Sequence, residues 1–217
     1  MQVLLLGATG RTGKHVLTHL LKAGHVVNAI VRDKTKLNNK GQLHVFESDT
    51  IDSTVLKQAM QGCEAIISVL NISRTSDFPW ARLRTPETFL SDAMANIIAV
   101  AEEAGIKKVV VCSAWGVHET RKDIPTWFRW LIDQSNIGVA YRDHERQELL
   151  LKHSKLDFTI VRPVALTNST KEKPVQVSQN NSPKPKLMVS RKNTGAFFVE
   201  LLNNTSYSRQ AIVISGK

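Results

Sequence analysis

Short apolar segments alternate with stretches of helical periodicity along almost the whole chain. The apolar segments predict buried strands at about residues 2–6, 26–31, 43–46, 65–70, 108–112, 158–161 and 211–215. The amphipathic stretches between them predict helices at about residues 12–23, 53–60, 87–104, 142–153 and 194–202. This alternation is typical of a parallel sheet with helices on both faces. The pattern therefore predicts an α/β fold with a doubly wound, mostly parallel sheet, in a single domain over residues 1–217.

The first predicted strand runs directly into three glycines, Gly7, Gly10 and Gly13, and a helix follows at once. Gly7 permits a tight turn, Gly10 lets the backbone approach a phosphate, and Gly13 lets the helix pack closely on the strand. Such a turn presents free amides and the positive end of a helix to a pyrophosphate. Glycines at this spacing also occur in ordinary turns, but the flanking strand and helix favour a Rossmann-like dinucleotide-binding unit. Arg11, inside the turn, could also face phosphate.

Residues that directly follow the predicted strands are candidates for a ligand site, because ligands of such sheets bind beyond the carboxyl ends of the strands. After the glycine turn these candidates are Arg32, Asp49, Leu70, Asn71, Ser113, Pro163 and Val164. Asp49 could accept from an adenine amino group, or it could bond to the backbone of its own loop. Leu70 and Asn71 could line the nicotinamide ribose.

Arg32 follows the second strand, where NAD-binding proteins carry an acid that holds the ribose 2′-hydroxyl. An arginine at this point accommodates a 2′-phosphate instead. Arg32 therefore favours NADP(H) over NAD(H) as the cofactor. Two alternatives stay open: Asp33, the next residue, could turn inward, and the two residues could form a solvated charge pair.

Three residues are candidates for catalysis. Ser113 ends the fifth strand, and its hydroxyl could hold a substrate carbonyl or could cap the strand. Tyr141 and His144 belong to the helical region that follows. His144 could donate a proton or act as a polar anchor, although a lone helix histidine more often packs or faces solvent. No metal site is predicted.

An aromatic segment, residues 123–132, separates the fifth strand from the helix that carries His144. It predicts a short helix, and its function has three interpretations: a packed helix, a wall or lid for a planar acceptor, or a subunit interface. The residues concerned are Trp127, Trp130 and Leu131 on one helix face, with Phe78 and Trp80 after the fourth strand as further members of the wall.

The net charge of +10 is compatible with nucleic acid, a membrane surface or an anionic small ligand. The basic residues are scattered, which makes nucleic acid an unlikely partner. No apolar stretch approaches the roughly 18 residues of a membrane span. Cys63 and Cys112 lie in apolar surroundings, which favours buried thiols and a cytoplasmic protein. The expected oligomeric state is separate from this and is either a monomer or a homodimer. Residues 168–186, rich in Asn, Ser, Pro and Lys, resemble a linker.

Several motifs in order resemble the atypical short-chain dehydrogenase/reductase proteins. Within them the chain is most similar to the NmrA-like group that includes the biliverdin-IXβ reductase/flavin reductase. The motifs lie at residues 7–13, 31–33, 109–114, 143–148, 156–163 and 189–192. The resemblance covers nearly the whole chain, and it is much more specific for the family than for a substrate.

The resemblance implies NADP(H) binding by the residues Gly7, Thr9, Gly10, Thr12, Gly13 and Arg32. It also implies that Ser113 and the pair Asp143 and His144 border the nicotinamide. Pro163 would shape the nicotinamide pocket, and residues 163–217 would complete its substrate side.

One departure from the family pattern concerns the catalytic pair. Standard members carry a tyrosine and a lysine four residues apart, whereas Tyr141 is followed at that distance by Glu145. The flavin-reductase relatives also lack the pair and hold an acceptor flat against the nicotinamide. The resemblance thus implies hydride transfer from NADPH to a small planar acceptor: a flavin, a quinone or a bilin. The alternative is an NADP(H)-sensing regulatory or assembly protein without turnover.

Overall fold

The computed structural model describes residues 1–37, 41–48 and 53–217. Its strands are β1 (Gln2–Leu6), β2 (Val26–Val31), β3 (Leu43–Glu47), β4 (Ala65–Ser68), β5 (Lys108–Cys112), β6 (Asp157–Pro163), β7 (Ala165–Thr167), β8 (Val175–Ser178), β9 (Met188–Ser190) and β10 (Gln210–Gly216). Its α-helices are α1 (Gly13–Lys22), α2 (Ser53–Met60), α3 (Phe89–Glu103), α4 (Thr126–Asp133), α5 (Ile137–His153) and α6 (Arg191–Glu200).

Within the described residues, one eight-stranded sheet has the order β3-β2-β1-β4-β5-β6-β10-β8. Its neighbours pair in parallel, except that β8 runs antiparallel to β10. β7 and β9 form a separate parallel pair. The chain order reverses between β1 and β4, so the crevice beyond the carboxyl ends of these strands is the expected ligand site. The prediction of a doubly wound, mostly parallel α/β fold is confirmed.

Helices bury both faces of the sheet, which explains why its strands are apolar without interruption. In β1, Val3 and Leu5 pack in the core under α1 and α6, whereas Leu4 and Leu6 pack under α2, α3 and α5. All four side chains are fully buried. None of the described helices has the length and apolar content that a bilayer-spanning helix needs.

Two parts of the chain differ from the sequence-based expectation. α5 begins at Ile137, five residues before the predicted start, and contains Gly138 in its first turn. A Cβ atom on Gly138 would lie 2.4 Å from the carbonyl oxygen of Ile132, so this glycine permits close packing of α5 against α4. The linker interpretation of residues 168–186 is wrong for β8, which pairs with β10 at the edge of the sheet.

Candidate functional site

The glycine turn between β1 and α1 is fixed by close backbone approaches. Gly7 has a φ of +86°, and a Cβ atom there would lie 2.9 Å from the carbonyl oxygen of Val69. A Cβ atom on Gly13 would lie 1.9 Å from the carbonyl oxygen of Gly7. No other residue fits at either position without moving the backbone. The Gly10 amide donates to the Gly7 carbonyl at 2.9 Å and closes the turn.

The amides at the start of α1 form a site for an anion. Among the described residues, the backbone N–H groups of Arg11, Thr12 and Gly13 have no hydrogen-bond acceptor. No acidic side chain lies in the first turn of α1, and Thr12 makes no side-chain cap. Free amides at the positive end of a helix dipole bind phosphate groups well. The turn therefore fits the pyrophosphate of a dinucleotide.

A cleft of about 490 Å³ opens over this turn at the carboxyl ends of β1, β2 and β4. It lies within the range of roughly 300–1,000 Å³ that is usual for small-molecule sites. Its lining includes most of the predicted cofactor residues: Gly7, Thr9, Gly10, Arg11, Thr12, Arg32, Leu70 and Asn71. Gly13 lies beneath the turn against Gly7. Asp49 lies outside the described residues.

Arginine side chains dominate the charge of this first cleft. Arg11, Arg32, Arg74 and Arg191 all line it, and Asp77 is the one acid among its described lining residues. Such a cleft favours a ligand that carries several negative charges. The sequence analysis missed Arg74, Asp77 and Arg191 because they follow no strand of the sheet directly.

Arg32 and Asp33, the two residues after β2, differ in the contacts that their side chains make. Arg32 is exposed, lines the first cleft, and makes no ion pair or hydrogen bond within the described part of the chain. The Asp33 carboxylate accepts from the Thr35 amide at 3.0 Å and from its hydroxyl at 2.6 Å. These hydrogen bonds from Thr35 lower the pKa of Asp33. Asp33 thus caps the short 3-10 helix at Lys34–Lys36, and Arg32 is the residue available to the cleft.

Arg11 lines the cleft, but its guanidinium group is already engaged. It donates to both carboxylate oxygens of Asp77, at 2.8 and 2.7 Å. This contact joins the glycine turn to the loop after β4 and lowers the pKa of Asp77. Both side chains are exposed, so the ion pair is screened by solvent and stabilises the fold little.

A second cleft of about 250 Å³ adjoins the first. The two clefts have seven described lining residues in common: Thr12, Val69, Leu70, Asn71, Ile72, Arg74 and Leu166. The three candidate catalytic residues meet here with the last residue of β6 and the residue after it: Ser113, Tyr141, His144, Pro163 and Val164 all line the second cleft. Trp115, Phe128 and Leu166 add apolar walls. The topology therefore brings together residues that are up to 51 positions apart, from 113 to 164 in the sequence.

The Ser113 hydroxyl is part of a buried charged network. It donates to the Glu148 carboxylate at 2.6 Å, and Arg162 donates to the same carboxylate through Nε at 2.9 Å and Nη2 at 2.6 Å. Glu148 and Arg162 are almost fully buried, and Arg162 also pairs with Glu119. Because the Ser113 proton points to Glu148, its oxygen can only accept from a ligand. The expected role of Ser113 as a donor to a substrate carbonyl does not fit this geometry.

His144 lies in the wall of the second cleft, where its uncharged ring can donate a hydrogen bond. The Gln147 side-chain amide donates to the Cys112 carbonyl at 3.2 Å and contacts His144 Nδ1 at 3.4 Å. An amide N–H at Nδ1 assigns the ring proton to Nε2. Burial lowers the pKa of His144 to about 4, so the ring is uncharged at neutral pH.

Asp143, which the family resemblance puts beside the nicotinamide with His144, has a structural role. Its carboxylate accepts from the Leu90 amide at 2.6 Å, the Ser91 amide at 3.3 Å and the Ser91 hydroxyl at 2.6 Å. Asp143 is fully buried and lines neither cleft. It holds the first turn of α3, where a negative charge complements the helix dipole.

Tyr141 is held by the fold and is poorly suited to donate a proton. Its hydroxyl donates to the Trp115 carbonyl at 3.1 Å, and burial raises its pKa above the ordinary value. Glu145 stands where a lysine would be needed to lower that pKa. Tyr141 therefore shapes the cleft and fastens the loop after β5.

The predicted aromatic helix is present as α4, but a different face of it packs. Phe128 lines the second cleft, and its ring lies 6.3 Å from that of Tyr141 in an edge arrangement. Ile132 is buried, whereas Trp127 and Trp130 are exposed. The interpretation of the tryptophan face as the packed face is wrong. Phe128 is the aromatic wall residue that the sequence analysis did not single out.

The chain matches a known protein family over nearly its whole length. A family model described as NAD(P)H-binding matches residues 7–205. Among curated proteins, the fatty acid hydroxylase uhd1 of Mycosarcoma maydis is 27% identical over 187 residues. That match covers 78% of this chain but 61% of the relative, so the chain spans about three fifths of that protein's length.

Solved structures share the fold at low sequence identity. The anaerobillin reductase ChuY from Escherichia coli O157:H7 has a TM-score of 0.80 and 23% identity, over 100% of this chain and 97% of that one. A short-chain dehydrogenase/reductase from Veillonella parvula, solved in complex with NADP, has a TM-score of 0.80 and 19% identity, over 99% and 94% of the two chains. These similarities establish a common architecture.

Proposed function

We propose that this chain, which belongs to the NAD(P)H-binding family, is an NADPH-dependent reductase of a small planar acceptor. The observation that carries the proposal is the junction of the two clefts. A cationic cleft with free loop amides adjoins a smaller, mostly apolar cleft, and the two share Leu70 and Asn71. A dinucleotide in the first cleft would reach an acceptor in the second.

The proposed cofactor contacts follow the order of the strands. The amides of Arg11, Thr12 and Gly13 would hold the pyrophosphate. Arg32 would pair with the 2′-phosphate, because it is the uncommitted cation at the end of β2, and this favours NADPH over NADH. The ribose and nicotinamide contacts are assigned to Leu70, Asn71, Pro163 and Val164. When bound, the cofactor supplies the hydride that reduces the acceptor.

The second cleft would orient the acceptor ring. The Ser113 oxygen can accept a hydrogen bond, and His144 Nε2 can donate one. Apolar groups of Phe128 and Leu166 exclude water from the ring faces. Because the Tyr141 proton is bound to the Trp115 carbonyl and His144 is neutral, the proton that accompanies hydride transfer would come from solvent.

The size of the second cleft favours a compact acceptor. Its volume of about 250 Å³ lies below the roughly 300 Å³ at which pockets for drug-sized ligands begin. A quinone or the ring system of a flavin suits this space better than a whole bilin, which would have to extend out of it. The segment after residue 163 contributes Val164 and Leu166 to this cleft and Arg191 to the first, which supports its assignment as the part that completes the pocket.

A cytoplasmic setting is part of the proposal. Cys63 and Cys112 are both free, and burial raises the pKa of each thiol to about 12. Thiols of this kind are unreactive, as expected for structural cysteines of a reducing compartment.

The second candidate is a protein that senses NADP(H) without turnover. This candidate is favoured because two hydroxyl groups of the second cleft already donate their protons within the protein. Ser113 donates to Glu148, and Tyr141 donates to a backbone carbonyl. Neither is poised as an acid, and no lysine supports Tyr141. Such a protein would bind NADPH tightly and leave it unchanged.

Turnover with a set of acceptors tests the two candidates. The full chain is mixed with NADPH and, in separate reactions, FMN, menadione or biliverdin, and oxidation of the nicotinamide is followed by its absorbance. The reductase proposal expects acceptor-dependent oxidation that saturates with at least one acceptor. Tight NADPH binding without oxidation by any acceptor would overturn it in favour of the sensor.

A further inference from the structure

Three of the chain's four tryptophans lie on its surface in two segments that are distant in sequence. We call Phe78, Trp80, Trp127 and Trp130 the aromatic patch; they are 62%, 46%, 66% and 59% exposed. Single exposed apolar residues are common, but a group of large aromatic side chains marks a surface that another structure covers.

A hydrogen bond joins the two segments of the aromatic patch. The Trp80 indole N–H donates at 2.7 Å to the carbonyl of Gln134, the C-cap residue directly after α4. On α4, positions 127, 130 and 134 share one helix face, which extends over about 10 Å. Phe78 extends the surface further, because its ring lies 5.3 Å from that of Trp80.

The surroundings of the aromatic patch are positively charged. Residues 74–84 and 121–133 contain six arginines and lysines but three aspartates. Two of these aspartates are already in ion pairs, Asp77 with Arg11 and Asp133 with Arg121. Within the described residues, the side chains of Arg82, Arg84, Lys122 and Arg129 have no acidic partner.

We propose that the aromatic patch binds the surface of an anionic lipid bilayer without crossing it. Tryptophan favours the boundary between headgroups and acyl chains, where its ring is apolar and its N–H stays polar. Arginine and lysine beside such a helix are attracted to anionic lipids. A symmetric second copy fits less well, because a two-fold contact through the aromatic patch would bring two positively charged surfaces together.

The aromatic patch also adjoins the second cleft. The Trp127 and Phe128 rings lie 5.4 Å apart, and Phe128 lines that cleft. A bilayer in contact with the patch would bring lipid-soluble acceptors, such as quinones, to the mouth of the cleft. This consequence rests on the proposed function, whereas lipid binding itself does not.

Vesicle sedimentation tests the proposal without any assay of activity. The full chain is mixed with vesicles of phosphatidylcholine alone or of phosphatidylcholine with phosphatidylglycerol, and the bound fraction and the tryptophan emission are measured. We expect binding to the anionic vesicles, a blue shift of the emission, and weaker binding at high salt. The double variant Trp127→Ser/Trp130→Ser should lower the partition coefficient about tenfold or more.

The matched control replaces two exposed leucines on α5, in the variant Leu149→Ser/Leu150→Ser, and should bind as the wild type does. NADPH binding by each variant reports whether it is folded, and a failure of the reductase assay would leave the vesicle result intact. Absence of wild-type binding to anionic vesicles would overturn the proposal. So would equal binding by the tryptophan variant, or a dimer in solution that this variant alone converts to a monomer.

Discussion

The Ser113 hydroxyl lies 2.6 Å from the carboxylate of Glu148, which is itself fully buried and held by Arg162. This contact sets the polarity of the second cleft. A serine whose proton is committed to a carboxylate presents lone pairs to a ligand, so it recognises an N–H or O–H group rather than a carbonyl oxygen. In the proposed site, the carboxylate would act on a ligand through the serine that it orients.

Substitution of Ser113 by alanine tests this role. Ser113→Ala removes the acceptor, while Arg162 continues to hold Glu148 through two hydrogen bonds. We expect kcat/KM for the acceptor to fall about tenfold, as for the loss of one good hydrogen bond, with little change in NADPH affinity. Steady-state kinetics and an NADPH titration of the same preparation measure the two quantities. An unchanged kcat/KM would exclude a part for Ser113 in orienting the ligand.

For Tyr141 we expect a loss of stability and little change in turnover. Tyr141→Phe removes a hydroxyl that donates to the Trp115 carbonyl, which should cost about 1 kcal/mol of stability. Because the proposed mechanism takes no proton from this hydroxyl, turnover should stay within about threefold of wild type. Urea unfolding and steady-state kinetics check the two parts. Loss of turnover by a hundredfold or so, in a folded variant, would restore a tyrosine acid to the mechanism.

Arg32 should determine the choice between the two nicotinamide cofactors. Arg32→Ala removes the uncommitted cation at the end of β2. A charge-assisted contact to the 2′-phosphate corresponds to roughly 10- to 100-fold in affinity, so Kd for NADPH should rise by that factor while Kd for NADH changes little. Lys34→Ala, another exposed cation nearby that pairs with Glu47, is the matched control. Equal weakening of both cofactors would show that the assignment of Arg32 is wrong.

The buried His144 predicts a pH dependence of stability. Its pKa is lowered by burial from 6.5 to about 4 in the folded state. Between these values the unfolded chain binds a proton that the folded chain does not, so the free energy of unfolding falls as the pH decreases. Over the whole interval this residue lowers the free energy of unfolding by about 3 kcal/mol. Above the unfolded pKa the ring is neutral in both states, so the stability is fully retained there.

Denaturant unfolding at several pH values through this interval measures the effect. His144→Asn should reduce the loss of stability on acidification, and His153→Asn, at an exposed histidine of the same helix, is the matched control. An unchanged pH dependence in His144→Asn would mean that the His144 ring is protonated in the folded state at a higher pH than burial allows.

The sheet and the glycine turn could be predicted from the sequence because their signals are local. Both faces of β1 are buried, so its residues are apolar in succession. Gly13 is required by a backbone contact with Gly7, six residues earlier, and Gly7 has a positive φ in the tight turn. The resemblance to short-chain dehydrogenase/reductase proteins rested on the glycine turn and on further motifs at residues 31–33, 109–114, 143–148, 156–163 and 189–192, and the family match confirms it.

The parts that could not be predicted depend on tertiary contacts. Asp77 reaches the first cleft from the loop after β4, and nothing in its local sequence points there. Arg191 reaches it from the start of α6; residues 189–192 form a family motif, but that motif does not assign the Arg191 side chain to this cleft. One signal was present and could have been used. Arg162 stands within an apolar strand, and a buried arginine requires a buried acid, which the structure supplies as Glu148.

The outward direction of the tryptophans on α4 also escaped prediction. The helical period puts Trp127 and Trp130 on one face, and large aromatic residues usually turn toward a core. Here Phe128 and Ile132 of the same helix fill the inner positions. Periodicity identifies a face, but the neighbouring elements decide which face is buried.

The most direct test of the account is an NMR titration of the isotope-labelled chain with NADP⁺, read at the backbone amides. The amides of Arg11, Thr12 and Gly13, which have no acceptor among the described residues, should show the largest shifts, together with residues at the end of β2. A Cβ atom on Gly10 would lie 3.1 Å from the Gly7 carbonyl oxygen and within 4 Å of no other described residue apart from its chain neighbours, so Gly10→Ala should fold. Because its methyl group would hinder the approach of a phosphate to the turn, this variant should abolish these shifts. Unshifted amides at positions 11 to 13 in the presence of saturating NADP⁺ would contradict the cofactor site, and the proposed function with it.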